Sequence, residues 1–206
     1  MEPLINSESL LARIWQKAAE PLGRTIDERK FLPLIGLVAR DIAVTLFPED
    51  PPETTDLLLA GRLQVYDEFY NQAEPYPDAK ECLEGLLQKG YRMAIMTSNS
   101  AVRIQNRLRN FGWEKYFSWV VGEGMIAEAK PNAAIVLEAA RCLGFAPEEC
   151  YVVGDAQWDI MAGNRAGAVT ALICRQEERL EELLAFHPRY HVHDLRELLK
   201  IIEKKV

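Results

Sequence analysis

The run Cys150-Tyr151-Val152-Val153 stops at Gly154, and Asp155 and Asp159 follow as a helical pattern opens through Ile160 toward Gly167. A short apolar run of this kind reads as a fully buried strand of a parallel sheet. Glycine at its end lets the backbone turn without a Cβ penalty. Parallel strands need long crossovers, usually helical, so strand, turn and helix in this order commit the chain to an α/β architecture. In open sheets of that type ligands gather beyond the carboxyl ends of the strands. Two acids placed there are candidates for a metal or phosphate site, although Asp155 reads equally well as a cap on the following helix.

The region ahead of this core has a different texture. Residues 7–22 read as a first helix, with Leu10, Leu11, Ile14, Trp15 and Ala18 at helical spacing, Ser7 as its cap, and Pro21 and Gly23 ending it. A second helical region spans roughly 27–47, and a third opens at Thr54 or Thr55 and runs through Leu57, Leu58, Leu63, Val65 and Phe69. Nothing before residue 72 has strand character, so this part is expected to be a small all-helical unit. From Tyr76 onward strands and helices alternate. Asp78 with Glu81 three residues on suggests a capping pair, and strands are expected at 91–96, 118–121, 150–153, 169–174 and 190–192. Proline at 131 suits the first turn of the helix that carries Ile135, Val136 and Ala139. A final helix starts from Asp194.

Composition narrows the partners. Across 206 residues, 24 Lys and Arg against 31 Asp and Glu leave a net charge of −7, with no cation excess to displace counterions from a nucleic acid. No apolar run approaches a membrane span, and the amino terminus has neither a basic nor an apolar leader pattern, so a cytoplasmic protein is expected. Cys82, Cys142, Cys150 and Cys174 are widely spaced and read as reduced, buried thiols. His191 and His193 share one side of a short strand but lack a third ligand, so a surface role outweighs a metal site. Trp15, Tyr66, Phe69 and Tyr70 could line a pocket; packing among the helices is the simpler reading. The acids of 177–182 read as a solvated face.

Three polar stations fall at the carboxyl ends of successive strands: Thr97-Ser98, then Lys130, then Asp155 with Asp159. A hydroxyl with free helix-start amides suits a phosphate oxygen. A lysine adds a point charge, and acids suit Mg²⁺ together with water and phosphate. Each station alone is ordinary. Their order on this topology is specific.

The chain resembles the haloacid dehalogenase superfamily, and within it the phosphoglycolate phosphatase and β-phosphoglucomutase-like members. Asn6-Ser7-Glu8-Ser9-Leu10-Leu11 is similar to the entry into their helical cap, Met93 through Asn99 to their second motif, Ala129-Lys130-Pro131 to the third, and Gly154 through Asp159 to the fourth. The resemblance implies a Rossmann-like parallel-sheet core, residues 1–5 and 74–206, with a helical-bundle cap over 6–73. It implies Mg²⁺-dependent hydrolysis of a small phosphomonoester. Thr97, Ser98 and Lys130 would hold phosphate, Asp155 would hold Mg²⁺, and Asp159 would orient Lys130 or metal-bound water, giving Lys130 and Asp159 catalytic roles. Ala156 stands where the family usually has serine.

At the front the pattern breaks. Family members begin with a strand ending Asp-x-Asp-Gly-Thr, whose first aspartate attacks phosphorus. Here Met1-Glu2-Pro3 precedes Leu4-Ile5-Asn6-Ser7-Glu8, and the attacking position would fall before residue 1. Glu2 is the nearby acid, at the family's glycine position. The expected consequence is impaired catalysis and weakened Mg²⁺ binding, or a non-catalytic relative that binds a phosphorylated ligand or a partner chain. The absent strand would be the central one. Either the two half-sheets then close directly on each other, or a strand from a homo-oligomer or a strand-donating partner fills the slot by β-augmentation.

Overall fold

The computed structural model describes residues 2–202, for Glu2 the backbone only. The chain opens with a single 3-10 turn, Glu2–Leu4, and the two-residue strand β1 (Ile5–Asn6). Helix α1 (Glu8–Ala19) buries Leu11, Ile14, Trp15, Ala18 and Ala19 along one stripe. Ser7 precedes it without capping it: the hydroxyl is buried and has no hydrogen-bond partner. The helix expected over 27–47 is in pieces, α2 (Glu28–Phe31), a 3-10 turn at Leu32–Leu34, and α3 (Ala39–Leu46). Pro33 lacks the N–H a helix needs, and Gly36 sits at φ +102°, a region closed to a continuing helix. Helix α4 (Pro52–Tyr70) is opened by Pro52 in its first turn, two residues before the expected threonine. The helical stretch is not free of strand. Strand β1 pairs antiparallel with β2 (Glu74–Pro75), clasping its two ends together.

The remainder alternates: α5 (Ala79–Gln88), β3 (Met93–Ser100), α6 (Ala101–Asn110), β4 (Phe117–Glu123), α7 (Ala134–Leu143), β5 (Tyr151–Gly154), α8 (Gln157–Ala166), β6 (Val169–Ile173), α9 (Leu180–Leu184), β7 (Tyr190–Val192) and α10 (Leu195–Ile202). Pro131 stands ahead of α7 rather than in its first turn. Asp78 does not cap α5 with its side chain. Its carboxylate instead receives both arms of the Arg175 guanidinium, each at 3.0 Å, and the Leu195 N–H at 2.8 Å. A charged fork at the end of β6 outcompetes a cap at the surface because it also satisfies the first amide of α10.

All core strands are parallel, but they form two separate sheets among the described residues, β3–β4 and β5–β6–β7. Strands β3 and β5 are not paired. Between them lies a cavity of about 610 Å³, bordered by Met93–Met96 on one side and Tyr151–Val153 on the other. Val136 and Ala139 of α7 wall it on one face, and Leu83 of α5 with Leu198 and Ile202 of α10 on the other. Direct closure of the half-sheets is thus overturned. Helices packed on both faces hold the two edges apart, and neighbouring strands need an approach of about 4.8 Å to bond.

Candidate functional site

Lys130, in the loop ahead of α7, reaches Asp159 of α8: its Nζ lies 2.8 Å from Oδ1, with side chains only 5% and 12% exposed. A lysine and an aspartate this far from water persist only as a pair, since either alone carries an uncompensated charge. Asp159 also borders the large cavity. Gly154 explains how the acid gets there. A Cβ on Gly154 would lie 2.2 Å from the Asp159 Cβ, so glycine at the end of β5 lets the first turn of α8 fold back against the strand.

Thr97, on the carboxyl-terminal half of β3, is buried, and its Oγ1 accepts the Asn99 N–H at 3.1 Å. Ser98 turns the other way, donating its hydroxyl proton to the Gly36 carbonyl at 2.6 Å. The Asn99 Oδ1 accepts the Ser100 N–H, and its amide donates to the Tyr66 hydroxyl. The Trp158 indole donates to the Pro33 carbonyl at 3.0 Å. The break between α2 and α3 therefore has a use. It releases the carbonyls of Pro33 and Gly36, which take hydrogen bonds from Trp158 in the first turn of α8 and from Ser98 near the end of β3. Neither α6 nor α8 has a side chain capping its first turn, which leaves helix-start amides at the carboxyl edge of both sheets.

The paired acids read from the sequence part company. Asp159 belongs to Lys130 and the large cavity; Asp155 borders a separate recess of about 30 Å³ with Glu8, Tyr76, Arg175 and Arg179. Arg175 stacks over Tyr76, 3.7 Å from the ring centroid, and donates to the Pro3 carbonyl at 3.1 Å, tying the amino-terminal turn to the end of β6. Burial pushes the Tyr76 phenol up, and Arg175 opposes that rise. Arg175, Asn99 and Tyr66 carry no motif signal; only their positions just beyond β6, just beyond Thr97 and late in α4 could have marked them.

No cluster of three His, Cys, Asp or Glu side chains suited to a metal exists among the described residues. Asp159 is held by Lys130, and the motif's other acid, Asp155, is a single carboxylate, which falls short of a preformed Mg²⁺ site. His191 and His193 meet edge to face, with the His193 Nδ1 on the Cys174 carbonyl. Trp15, Tyr66, Phe69 and Tyr70 are buried in the helical packing. All four cysteines are free, Cys82 and Cys174 buried but Cys142 and Cys150 only half so; burial pushes the Cys82 thiol up to about 12.

Comparison with known proteins agrees with this layout. The haloacid dehalogenase-like hydrolase family matches residues 2–173. The chain is 34% identical over 154 residues to a protein of Methanopyrus kandleri named glyceraldehyde 3-phosphate phosphatase, covering 72% of this chain and 65% of that one. It is 29% identical over 156 residues to a phosphoglycolate phosphatase of Vibrio vulnificus, covering 73% and 68%. The chain thus spans about two thirds of the length of these curated relatives. A solved structure of a hydrolase from Pseudomonas syringae shares the fold, with a TM-score of 0.88 over 98% of this chain and 94% of that one, at 22% identity. A match reaching from residue 2 to residue 173, on a shared fold, makes this protein a member of the haloacid dehalogenase-like hydrolase family.

Proposed function

We propose that this chain holds the phosphate group of a small phosphorylated metabolite, in the lineage of phosphomonoester hydrolases, and that its turnover is impaired. The buried Lys130–Asp159 pair beside the large cavity carries the reading. Lys130 supplies the positive charge for phosphate, Asp159 positions it, and the Thr97 hydroxyl supplies a hydrogen bond. Ser98 contributes chiefly its backbone N–H, because its hydroxyl proton is committed to Gly36. An attacking carboxylate splits phosphoester hydrolysis into two easier steps. The sequence has no Asp-x-Asp-Gly-Thr run, and losing such a member costs on the order of 10⁴–10⁶-fold in rate. Mg²⁺, with Asp155 as its one acid from the motif, binds weakly. Residues 6–73 act as a cap whose broken helix and Tyr66 contact the phosphate loops.

The unpaired edges of β3 and β5 favour a second reading, in which the chain accepts a strand, from a homo-oligomer or a donating partner, in the cavity between them. No described helix is long and apolar enough to cross a membrane; with free cysteines throughout, we place the protein in the cytoplasm.

Calorimetric titration with orthophosphate, alongside a phosphate-release assay on phosphomonoesters with Mg²⁺, tests the proposal. Saturable binding that is lost in Lys130→Ala, with no measurable release, is the expected result. Rapid Mg²⁺-stimulated release that disappears in Asp155→Ala would overturn the impaired state. Absence of any phosphate binding would overturn the site and leave the strand-accepting role.

A further inference from the structure

The gap between the half-sheets has the dimensions of one strand. Its walls are Met93–Met96 of β3 and Tyr151–Val153 of β5, and its volume is about 610 Å³. A strand of about four residues, rising about 3.3 Å per residue, about 4.8 Å wide and between layers about 10 Å apart, fills roughly 600 Å³. Two strands do not fit. The edge N–H and C=O groups of β3 and β5 that face the gap have no strand partner. A hydrocarbon ligand would bury them unsatisfied, whereas a second backbone offers donors and acceptors at the matching repeat. Both faces of the gap are apolar: Val136 and Ala139 on one side, Leu83, Leu86, Leu198 and Ile202 on the other, all buried. An occupant must therefore be apolar at every position, not at alternate ones.

The two edges run the same way, because Ser98 near the end of β3 and Trp158 just beyond β5 both bond to the Pro33–Gly36 stretch. The two ends of the gap differ in charge. At the amino-terminal mouth stand Lys89 and Arg92, both exposed, with Arg92 over the Phe145 ring at 5.8 Å. Glu149, the acid at that mouth, accepts the Ala146 N–H at 2.9 Å. At the carboxyl end the charge of Asp159 is matched by Lys130 at 2.8 Å. One end is thus net positive and the other neutral. Helices cover both faces, the setting in which natural sheets are parallel throughout, so an occupant enters at the positive mouth. Among the described residues the apolar extended runs are already strands, and a second copy has none to lend. We infer that the gap takes four consecutive apolar residues of another protein, inserted parallel to β3 and β5, with acidic residues leading into them at Lys89 and Arg92. The inference rests on the strand-accepting reading and adds the partner's length, direction and charge.

Calorimetric titration of the full chain with three acetylated, amidated peptides tests it, with amide exchange on each complex: Glu-Asp-Val-Ile-Val-Ile, its reverse Ile-Val-Ile-Val-Asp-Glu, and Lys-Lys-Val-Ile-Val-Ile. The acid-led peptide should bind about threefold to tenfold more tightly than either of the others at low ionic strength, the scale of two exposed ion pairs. It should raise protection in Met93–Met96 and Tyr151–Gly154 together. The double change Lys89→Ala with Arg92→Ala should bring the ratios to near one. Salt at about 0.5 M should do the same by screening, and it serves alone if the variant fails to fold. Equal binding of all three, or tighter binding of the reversed peptide, with both segments protected, overturns the direction and the acidic lead and leaves the strand-accepting reading standing. Both segments protected in a dimer before any peptide is added overturns the foreign partner in favour of a second copy. No binding, or binding without protection of these segments, overturns the inference and the strand-accepting reading alike.

Discussion

Lys130 and Asp159 form a pair whose two members have no stable existence apart. Replacing Lys130 by Met leaves the carboxylate buried and unpaired, and we expect a loss of about 3–5 kcal/mol of stability by urea denaturation. The double change Lys130→Met with Asp159→Leu should recover much of that loss, because no charge then remains without a partner, while phosphate binding stays lost. Stability and binding thus separate in one experiment. Gly154 offers a second test. A methyl group there collides with Asp159 at 2.2 Å, so Gly154→Ala should cost about 1–3 kcal/mol through overpacking and weaken orthophosphate binding by displacing the acid from Lys130. A variant with unchanged stability and affinity would sink the account. Lys130, Asp155, Asp159 and Thr97 were legible as candidates because charged and hydroxyl residues stand just past apolar runs. That Asp159 faces the cavity and Asp155 a different recess was not legible, since helix phase and strand position jointly aim the two side chains.

Among the elements, α10 shows how a short helix at the edge of the described chain is secured. The Asp194 Oδ1 accepts the Arg196 N–H at 2.8 Å, and the Glu197 carboxylate reaches back to the His193 and Asp194 N–H groups. The Arg196 guanidinium and backbone N–H hold the Asp194 carboxyl down at about 2. A carboxyl depressed in the folded state stabilises it fully above the unfolded pKa, about 3.9, and that contribution is lost as pH falls toward 2. Urea midpoints measured across this window should therefore fall less steeply in Asp194→Asn than in the unaltered chain; identical acid limbs would contradict the assignment. Asp194→Ala should in addition cost about 1 kcal/mol at neutral pH through the lost cap. The start of this helix was readable from Asp194 itself. Asp78 looked equally like a cap and is not one, because Arg175, far away in sequence, claims its carboxylate. The fracture between α2 and α3 was signalled by Pro33 and Gly36, but an apolar pattern continuing across them concealed it.

At the scale of the molecule the unusual feature is a parallel core in two halves. Parallel strands are normally buried within a continuous sheet, and an exposed edge invites pairing. Amide hydrogen exchange on the isolated chain should find Met93–Met96 and Tyr151–Gly154 less protected than Val169–Ile173, which has a strand on either side. A short apolar peptide of high strand propensity should raise protection in the first two segments together. Equal protection in all three without a peptide, at monomeric sedimentation mass, would argue against an open slot. Equal protection in a dimer would identify a second copy as the occupant.

The sequence by itself determined the alternation of strands and helices, the parallel core, the helical stretch ahead of it and the family to which the motifs belong. Those properties depend on local apolar periodicity and on residue types placed at strand ends, and both are written along the chain. Only the tertiary structure decided that the half-sheets stand apart, that a broken helix lends its carbonyls to Ser98 and Trp158, and that Arg62 rests on two rings without an acid. Each of these depends on which groups meet across long separations in the chain. Helices packed on both faces of a gap, or a guanidinium beside a loop that follows it by more than thirty residues, leave no periodic trace for the sequence to carry.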